Sequence, residues 1–330
     1  MTIVCYGEVL VRLSPTGQRL FSQTNSIDMY FGGAETNVAI SLSKFGAPVR
    51  VASVITANEF GQAARAMLRG HGIDTAHLIE GPGEMGIYCA EPPAAYRAIN
   101  VFYQRAASSF VNAAPETIDW KRALEGASLL HMSGICPALG DLASKAALRA
   151  AHAAHDAGVP ISFDGNYRGK LWSAWRKDGG APILRELFSL ATIAFANEKD
   201  LGLIFGEQFE DVTHAAAKAF TAFPKLQHIA STTRVPHDQR IDLGAFMISR
   251  DNIVRAAPRQ LGAIIDRIGA GDAFAAGLLY SLHKKRPAQE AVDFALAACV
   301  LKHGICGDAN LVSEADVRGY LAGETTDVKR

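Results

Sequence analysis

The sequence predicts an α/β protein in which a mostly parallel central sheet lies between two layers of helices. Short apolar runs alternate along the chain with longer segments whose apolar residues recur at helical spacing, which is the pattern of strand–helix–strand units. The 330 residues are 49% hydrophobic and 20% charged, a composition typical of a globular protein with a sizeable core. We therefore expect a doubly wound α/β body.

The strands and helices of this body follow from the same patterns. Each expected strand is a short buried apolar run, and these runs lie at residues 3–6, 49–55, 128–132, 159–163, 192–196 and 228–231. The expected helices lie at residues 34–45, 60–69, 142–157 and 215–223. Gly158 directly follows the third of these helices, at the position where a glycine commonly ends a helix.

Two segments, 9–30 and 85–110, lack this rhythm. Both contain β-prone runs joined by turn-forming residues, so we expect extra strands that form a small inserted sheet. Such a sheet would stand as a lid over the carboxyl ends of the parallel strands, where α/β proteins bind ligands. We expect Val9, Val11 and Leu13 to present an exposed apolar face, which predicts a homodimer formed through the lid.

Composition and charge exclude several classes of function. The chain carries 33 Lys and Arg and 33 Asp and Glu, so no basic surface for a nucleic-acid partner is expected. Five scattered cysteines without a CxxC spacing indicate neither a disulfide framework nor a zinc site. The sequence shows no signal peptide and no long uncharged apolar run, and it therefore predicts a cytoplasmic protein without a membrane partner.

The stretch 266–277 carries the clearest chemical signal. Gly269, Ala270 and Gly271 form a small-residue turn directly before a helical pattern. Successive backbone N–H groups in such a turn, together with the positive end of the helix dipole, make a binding place for an anion. Asp272 lies in the first helical turn and would face the same hollow. The alternative is that Asp272 is an ordinary cap of the helix N-terminus.

A carboxylate beside such an anion hole suits phosphoryl transfer to a hydroxyl group. The carboxylate accepts the proton of the attacking alcohol, and the N–H groups stabilise the charge on the transferred phosphoryl group. The sequence contains neither a Walker A motif nor the protein-kinase motifs, so those two ways of binding ATP do not apply. An NAD-dependent dehydrogenase is excluded because the early glycine fingerprint of a Rossmann sheet is missing.

Two motifs resemble the signatures of ribokinase-like (PfkB-type) sugar kinases. They are Gly32-Gly33-Ala34-Glu35-Thr36-Asn37-Val38-Ala39 and the 266–277 stretch, and the resemblance extends from about residue 3 to residue 321. It implies a single ribokinase-like domain over 1–330, with a three-layer α/β/α body and a lid. It also implies ATP and Mg²⁺, an optional monovalent cation, Asp272 as general base and the 269–272 backbone as the anion hole.

Within this family, four segments are similar to 2-keto-3-deoxygluconate kinases, namely 86–88, 103–105, 164–168 and 302–310. The similarity implies that ATP phosphorylates the terminal hydroxyl of 2-keto-3-deoxygluconate, giving 2-keto-3-deoxy-6-phosphogluconate and ADP. Tyr103 and Arg105 are two residues apart and so share one strand face, and a guanidinium suits a substrate carboxylate. The expected substrate-binding residues are Gly32, Gly33, Asn37, Tyr88, Tyr103, Arg105, Arg168, Asp272 and Asp308.

Contacts with the nucleotide are expected from a second group of residues. Asn197 and Asp200 begin a predicted helix and resemble the family's Asn-x-x-Glu motif, with Asp in the last place. Asp200 is expected to reach Mg²⁺ through water, and its alternative role is a cap of the helix N-terminus. The expected nucleotide-binding residues are Asn166, Asn197, Ser231, Thr233, Arg234, Gly269 and Gly271.

Three alternatives to a 2-keto-3-deoxygluconate kinase stay open. The first is a kinase for a neutral sugar such as fructose or ribose, and the second is a kinase for an isomeric keto-deoxy acid such as the galactonate form. Arg105 beside Tyr103 favours an acid over a neutral sugar. The third is a sugar-acid sensor without catalysis, against which the joint presence of Gly269, Gly271 and Asp272 argues.

Overall fold

A computed structural model describes residues 2–94, 97–237 and 240–324. The strands in this part of the chain are Thr2–Tyr6 (β1), Leu10–Pro15 (β2), Ile27–Gly32 (β3), Val49–Thr56 (β4), Asp74–Gly81 (β5), Gly86–Glu91 (β6), Asn100–Gln104 (β7), Ala127–Ser133 (β8), Ile161–Asp164 (β9), Ile193–Phe195 (β10), His228–His237 (β11), Arg240–Ser249 (β12) and Ile253–Gln260 (β13). The helices are Ala34–Lys44 (α1), Glu59–Gly70 (α2), Trp120–Ala123 (α3), Ile135–Ala138 (α4), Asp141–Asp156 (α5), Gly169–Ser173 (α6), Ala181–Leu190 (α7), Glu198–Phe205 (α8), Val212–Ala222 (α9), Ala270–His283 (α10), Ala288–Lys302 (α11) and Glu314–Leu321 (α12).

The strands form two separate sheets. The large sheet has nine strands in the order β13-β12-β11-β10-β9-β8-β1-β4-β5, and along this order every pair from β11 to β5 is parallel. Strands β12 and β13 continue it as antiparallel neighbours at one edge. The small sheet has the order β3-β2-β6-β7. The predicted ribokinase-like α/β fold, with a mostly parallel sheet and a smaller separate one, is confirmed.

Two hydrophobic cores lie on opposite faces of the large sheet. One packs α1, α2, α10, α11 and α12 against the sheet, and its members include the buried rings of Phe274 and Phe294. The other packs α3, α5, α7, α8 and α9, and includes Phe188 and Phe220. Burial of apolar surface on both faces explains why the parallel strands, except the edge strand β5, contain continuous apolar runs in the sequence.

The six predicted strands of the body are present, with ends that differ by one or two residues in five of them. The sixth extends much further than predicted, from His228 to His237, because it pairs along its whole length with β12. Strands β5, β12 and β13 were not among the predicted apolar runs; only two residues of β5 are buried, Thr75 and Leu78, and β13 begins with exposed and buried residues in alternation. Gly158 follows α5 with φ +68°, as expected for a glycine after a helix end.

The predicted exposed apolar face on the small sheet is wrong. Val9 and Val11 are buried in the core that contains α1 and α10, and Leu13 packs against the same core. The alternation along β2 therefore points these side chains toward the body of the protein rather than toward solvent. The exposed apolar side chains of the small sheet are instead Ile27 and Met29 on β3, with Phe102 and Tyr103 on β7.

The topology brings several polar side chains to one edge of the large sheet. Glu8 follows the carboxyl end of β1, Asp164 ends β9, and Asn197 follows β10. Because the carboxyl ends of parallel strands meet at one edge, these side chains converge there. In the part of the chain that the structure describes, no helix is long and apolar enough to cross a membrane.

Gly277 in α10 offers a test of the packing beneath this edge. A Cβ at Gly277 would lie 2.8 Å from the Cα of Ala295 in α11, so Gly277→Ala is expected to lower the free energy of unfolding by about 1–3 kcal/mol. Gly70→Ala in α2 is the matched control, because a Cβ there meets no atom within 4 Å. Urea unfolding of both variants measures the difference. Equal stabilities of the two variants would show that the α10–α11 contact tolerates the extra methyl group.

Candidate active site

A cavity of about 400 Å³ lies between the small sheet and the carboxyl edge of the large sheet. Most of the residues predicted to bind substrate line it, which means that segments far apart in the sequence converge here. The predicted site residues in its wall are Gly33, Asn37, Tyr88, Tyr103, Arg105, Asn166, Arg168, Gly269, Gly271, Asp272 and Asp308. The wall also contains Glu8, Glu35, Asp164 and Arg267, which the sequence analysis did not select.

Asp272 lies in the first turn of α10 and faces Asn37 of α1. Asn37 Nδ2 donates a hydrogen bond of 2.7 Å to Asp272 Oδ2. The N-cap residue of α10 is Gly269, and no side chain caps this helix end, so the structure does not show Asp272 as a cap. Burial raises the pKa of Asp272 to about 7, with the charges of Glu35 and Asp308 adding to the rise and the Asn37 hydrogen bond opposing it.

The turn before α10 is built as predicted around two glycines. Gly269 has φ +80°, and a Cβ there would overlap the carbonyl oxygen of Asp308, so only glycine fits. A Cβ on Gly271 would meet no protein atom within 4 Å, because this residue faces the open cavity. The side chain of Ala270 is buried, which leaves its backbone to form the turn. A ligand can therefore approach the N–H groups of this turn closely.

The glycine pair before α1 has two different positions. Gly33 lines the cavity as the N-cap of α1, with φ +130° and no room for a Cβ beside the carbonyl oxygen of Glu8. Gly32 does not line the cavity. A Cβ on Gly32 would overlap the carboxyl group of Asp308, so this glycine permits close packing of β3 against Asp308 rather than a contact with a ligand.

Arg105 is neither exposed nor unpaired. Its guanidinium forms a buried ion pair with the carboxylate of Glu8, and it also lies 5.7 Å from the ring centroid of Tyr103. The sequence analysis missed Glu8 because a lone acidic residue after a strand carries no motif. Two buried atoms of this pair, Glu8 Oε1 and Arg105 Nε, have no hydrogen-bond partner among the described residues. The pair therefore retains one acceptor and one donor at the cavity wall.

Tyr88 and Asp308 form a second buried contact in the cavity wall. The hydroxyl group of Tyr88 donates a hydrogen bond to the carboxylate of Asp308, which also accepts one of 3.0 Å from Arg12 Nη1. Burial raises the pKa of Asp308, whereas these two donors lower it. Arg12 was not predicted as a site residue.

A second cavity of about 360 Å³ adjoins the first one. The two cavities share Asp164, Asn166, Arg168 and Gly271, and the second extends to Asn197, Asp200, Ser231 and Thr232. Thr233 and Arg234, further along β11, do not line it, and Arg234 Nη2 lies instead 3.3 Å from His303 Nε2. Three of the five residues predicted for the nucleotide outside the glycine turn thus line this cavity.

Asp164 and Asp200 bring two carboxylates to the second cavity. Burial raises the pKa of Asp164 to about 8, and the charges of Asp272 and Asp200 add to this rise. Asp200 also caps α8, since its Oδ2 accepts a hydrogen bond of 3.0 Å from the backbone N–H of Asn197. No cluster of three or more potential metal ligands occurs among the described residues. The two carboxylates suit a Mg²⁺ ion whose other ligands are water and phosphate oxygens.

Fold and site together define an α/β protein in which a buried carboxylate, that of Asp272, lies beside a glycine turn at a helix N-terminus. Residues 1–311 match the profile of the pfkB family carbohydrate kinases, and the chain belongs to that family. It is therefore a sugar kinase, which transfers a phosphoryl group from ATP to a sugar, and the alternative of a sensor without catalysis is wrong.

Individual relatives agree with this assignment over the whole chain. A crystal structure of a PfkB family carbohydrate kinase from Listeria grayi has a TM-score of 0.92 and 33% identity, covering 98% of this chain and 100% of that one. That of 2-dehydro-3-deoxygluconokinase from Thermotoga maritima has a TM-score of 0.90 and 31% identity, with coverage of 98% and 100%. The 2-dehydro-3-deoxygalactonokinase of Haloferax volcanii is 27% identical, with 99% of each chain covered.

The raised pKa values of Asp164 and Asp272 predict a pH dependence of stability. Native carboxyl groups that titrate near pH 7–8 hold protons that the unfolded chain releases near pH 4, so the free energy of unfolding falls as the pH rises between these values. Asp164→Asn removes this penalty and should stabilise the ligand-free protein by about 3–4 kcal/mol more at pH 8 than at pH 5.

Urea unfolding at the two pH values measures this difference. The matched control is Asp156→Asn, which removes an exposed carboxylate at the end of α5. A stability gain of Asp164→Asn that is the same at both pH values would show that Asp164 is ionised throughout this range.

Proposed function

We propose that this chain phosphorylates the terminal hydroxyl group of 2-keto-3-deoxygluconate with ATP, giving 2-keto-3-deoxy-6-phosphogluconate and ADP. The observation that carries the proposal is the presence of Arg105 and Arg168 in the same cavity as Asp272. Two guanidinium groups suit an anionic sugar, whereas a neutral sugar needs neither for its hydroxyl groups. The names of the Thermotoga and Haloferax relatives, both keto-deoxy sugar-acid kinases, support an acid substrate.

Asp272 is proposed as the general base. Its carboxylate accepts the proton of the sugar hydroxyl group while that oxygen bonds to the γ-phosphorus of ATP and the bond to the β–γ bridging oxygen breaks. The hydrogen bond from Asn37 fixes the orientation of the carboxylate. The N–H groups of Gly269, Ala270 and Gly271 stabilise the negative charge that develops on the transferred group.

The carboxylate of the sugar acid is proposed to lie between Arg105 and Arg168. Glu8 holds the Arg105 guanidinium in place, and the unpartnered Nε of Arg105 remains able to donate. The Arg168 side chain lines the cavity without a hydrogen bond or ion pair to any described residue, and its charge lowers the pKa values of the nearby carboxyl groups of Asp164, Asp200 and Asp272. Tyr88, Tyr103 and Asp308 would contact the hydroxyl groups of the sugar together with Gly33 and Asn37.

ATP is proposed to occupy the second cavity with its γ-phosphate at the glycine turn. Asn166, Asn197 and Ser231 line this space, and the absence of a side chain at Gly271 leaves room for phosphate oxygens. Thr233 and Arg234 remain proposals for contacts nearer the cavity rim. Mg²⁺, reached by Asp200 through water and by Asp164, would neutralise phosphate charge.

The small sheet is proposed to act as the lid, with the whole chain forming one domain. A homodimer through this lid also remains a proposal, now supported by Ile27, Met29 and Phe102, which are 44%, 48% and 43% exposed. The monovalent cation and the cytoplasmic location stay predictions.

An isomeric keto-deoxy acid is the second candidate substrate. The name of the Haloferax relative, a 2-dehydro-3-deoxygalactonokinase, favours it. The gluconate and galactonate forms share the carboxylate and the terminal hydroxyl group, so the proposed contacts suit both. ADP release measured with both keto-deoxy acids, fructose and ribose separates these possibilities. The proposal expects the largest kcat/KM with the gluconate form, and a larger value for fructose or ribose would contradict it.

Asp272→Asn tests the proposed general base. We expect kcat to fall by roughly 10²–10⁴-fold, because the amide cannot accept the proton, while the Kd of the sugar acid from calorimetry stays within about threefold. Asp156→Asn is again the control for loss of a carboxylate elsewhere. A variant that retained wild-type kcat would show that Asp272 has only a structural role.

Arg105→Ala tests the class of substrate. One charge-assisted hydrogen bond contributes roughly 1.5–3 kcal/mol, so kcat/KM for the acid should fall by about one to two decades, with a small effect on a neutral analogue that lacks the carboxylate. Arg105→Lys should recover only part of the loss, because an ammonium group cannot form the bidentate pair.

The ion pair with Glu8 requires a further control in this experiment. Arg105→Ala alone leaves Glu8 buried without its partner, so the double variant Arg105→Ala/Glu8→Gln separates this penalty from the lost substrate contact. The proposal requires the double variant to retain the selective loss with the acid. Equal losses with acid and neutral substrates would show that Arg105 only orders the lid.

A further inference from the structure

A cluster of four buried charged side chains lies beside the glycine turn 269–271. None of them is proposed above to transfer a proton or a phosphoryl group. Arg12 comes from strand β2 of the small sheet, whereas Asp266, Lys302 and Asp308 come from the body. Arg12, Asp266 and Asp308 are 3%, 6% and 3% exposed, and Lys302 is fully buried. Buried charges of this kind need an opposite charge or hydrogen bonds; Arg12 pairs with Asp266 and Asp308, whereas Lys302 Nζ bonds to a backbone carbonyl oxygen.

Arg12 connects the small sheet to two carboxylates of the body. Its Nη1 donates a hydrogen bond of 2.6 Å to Asp266 Oδ2 and one of 3.0 Å to Asp308 Oδ1. Its Nε donates to Ser14 Oγ at 2.8 Å, and its guanidinium lies 5.4 Å from the ring centroid of Tyr30. The arginine is therefore held in one orientation by its own sheet.

Asp266 transmits this contact to the glycine turn. Its Oδ1 accepts a hydrogen bond of 3.0 Å from the backbone N–H of Ile268, the residue before Gly269. Its Oδ2, which Arg12 also contacts, accepts one of 3.2 Å from the N–H of Gly307. The Asp266 carboxylate thus holds the backbone at Ile268, directly before the turn, and at Gly307.

Asp308 and Lys302 contact the same turn from below. Gly269 packs directly on the carbonyl oxygen of Asp308, and a Cβ there would lie 3.4 Å from Lys302 Cε. Lys302 Nζ donates a hydrogen bond of 3.1 Å to the carbonyl oxygen of Ile305. Burial lowers the pKa of Lys302, and the neighbouring Asp266 and Asp308 oppose this change.

We propose that Arg12 is a positioning residue for phosphoryl transfer, which holds the anion-hole turn in place from the small sheet by bridging Asp266 and Asp308. Arg12 touches neither substrate nor the reacting atoms. Its effect passes through Asp266 to the backbone at Ile268, and so to the N–H groups at Gly269 and Gly271. The proposal rests on the proposed function in one respect, namely that this turn binds the transferred phosphoryl group.

The same bridge makes the turn depend on the position of the small sheet. Tyr88, also on that sheet, contacts the Asp308 carboxylate that Arg12 bridges. A sugar that contacts Tyr88 therefore acts on the cluster that supports the anion hole. The geometry of the glycine turn therefore depends on the placement of the small sheet over the sugar.

Arg12→Met and Arg12→Lys test the proposal. We expect Arg12→Met to lower kcat by at least tenfold, with the KM for ATP within about twofold, because the turn stabilises charge that develops in the transition state. Arg12→Lys, which keeps one charge but not the bridging geometry, should lower kcat by at least threefold and by less than Arg12→Met. Arg97→Met is the matched control, because Arg97 also belongs to the small-sheet segments but donates to the carbonyl oxygens of Gln18 and Pro92.

The measurement has to distinguish positioning from a loss of folded protein. Active sites are counted by calorimetric titration with Mg²⁺ and the non-hydrolysable analogue AMP-PNP, and kcat is expressed per site. A purely structural role would lower the number of sites and leave kcat per site unchanged. If Arg12→Met does not fold, the threefold loss expected for Arg12→Lys decides the matter alone, and a wild-type kcat of that variant overturns the proposal.

A double-variant cycle tests the route through Asp266. Asp266→Asn keeps an oxygen that accepts from the Ile268 N–H but loses the charge that Arg12 binds. If Arg12 acts through Asp266, the Arg12→Lys/Asp266→Asn double variant should lose less activity than the product of the two single losses. Losses that multiply would overturn the proposal. All variants are assayed with the acceptor that gives the highest wild-type ADP release, so a wrong sugar assignment leaves this comparison intact.

Discussion

Compensation of buried negative charge is the constraint on which the active site of this protein depends. Glu8, Glu35, Asp164, Asp272 and Asp308 all line one cavity beneath the small sheet. A carboxylate in such a place either finds a positive partner or titrates at a higher pH than usual. Glu8 and Asp308 are paired with arginines, and burial raises the pKa of Asp308 nevertheless. Glu35, Asp164 and Asp272 have raised pKa values and no ion pair among the described residues.

The carboxylates with and without ion pairs also differ in the roles proposed for them. The paired carboxylates hold elements together, since Asp308 and Asp266 bind Arg12 of the small sheet. Of the carboxylates without an ion pair among the described residues, Asp164 lines both cavities, and Asp272 directly follows Gly271, which lines both as well. A pKa near 7 suits a general base at neutral pH, because the carboxylate is partly available and still basic enough to accept a proton.

The sequence predicted the fold class and half of the residues that line the cavity, because these depend on local patterns. Apolar runs mark the parallel strands, and glycines mark backbone that must take φ above zero or approach another group, as at Gly269. Glu8 and Arg12 were missed because their importance comes from partners far away in the sequence, Arg105 and Asp266, and no local spacing reveals a contact of that kind. The direction of the β2 side chains was missed for the same reason, since only the packed body shows which face is covered.

Charge balance also bears on how the proposed carboxylate site would distinguish a sugar acid from a neutral sugar. Glu8 already neutralises Arg105, so the pair by itself adds no net positive charge to the cavity. Arg168, which has no ion pair with the described residues, supplies the charge that an incoming carboxylate can balance, while the Arg105–Glu8 pair supplies a fixed direction for its donors. A neutral sugar could accept hydrogen bonds from these donors but would not balance the charge of Arg168. A sugar acid bound in the wrong orientation would place its carboxylate beside Glu8, which would repel it. In the proposed function, selectivity for a carboxylate at one end of the sugar would therefore arise from both residues of the pair together with Arg168, rather than from Arg105 alone.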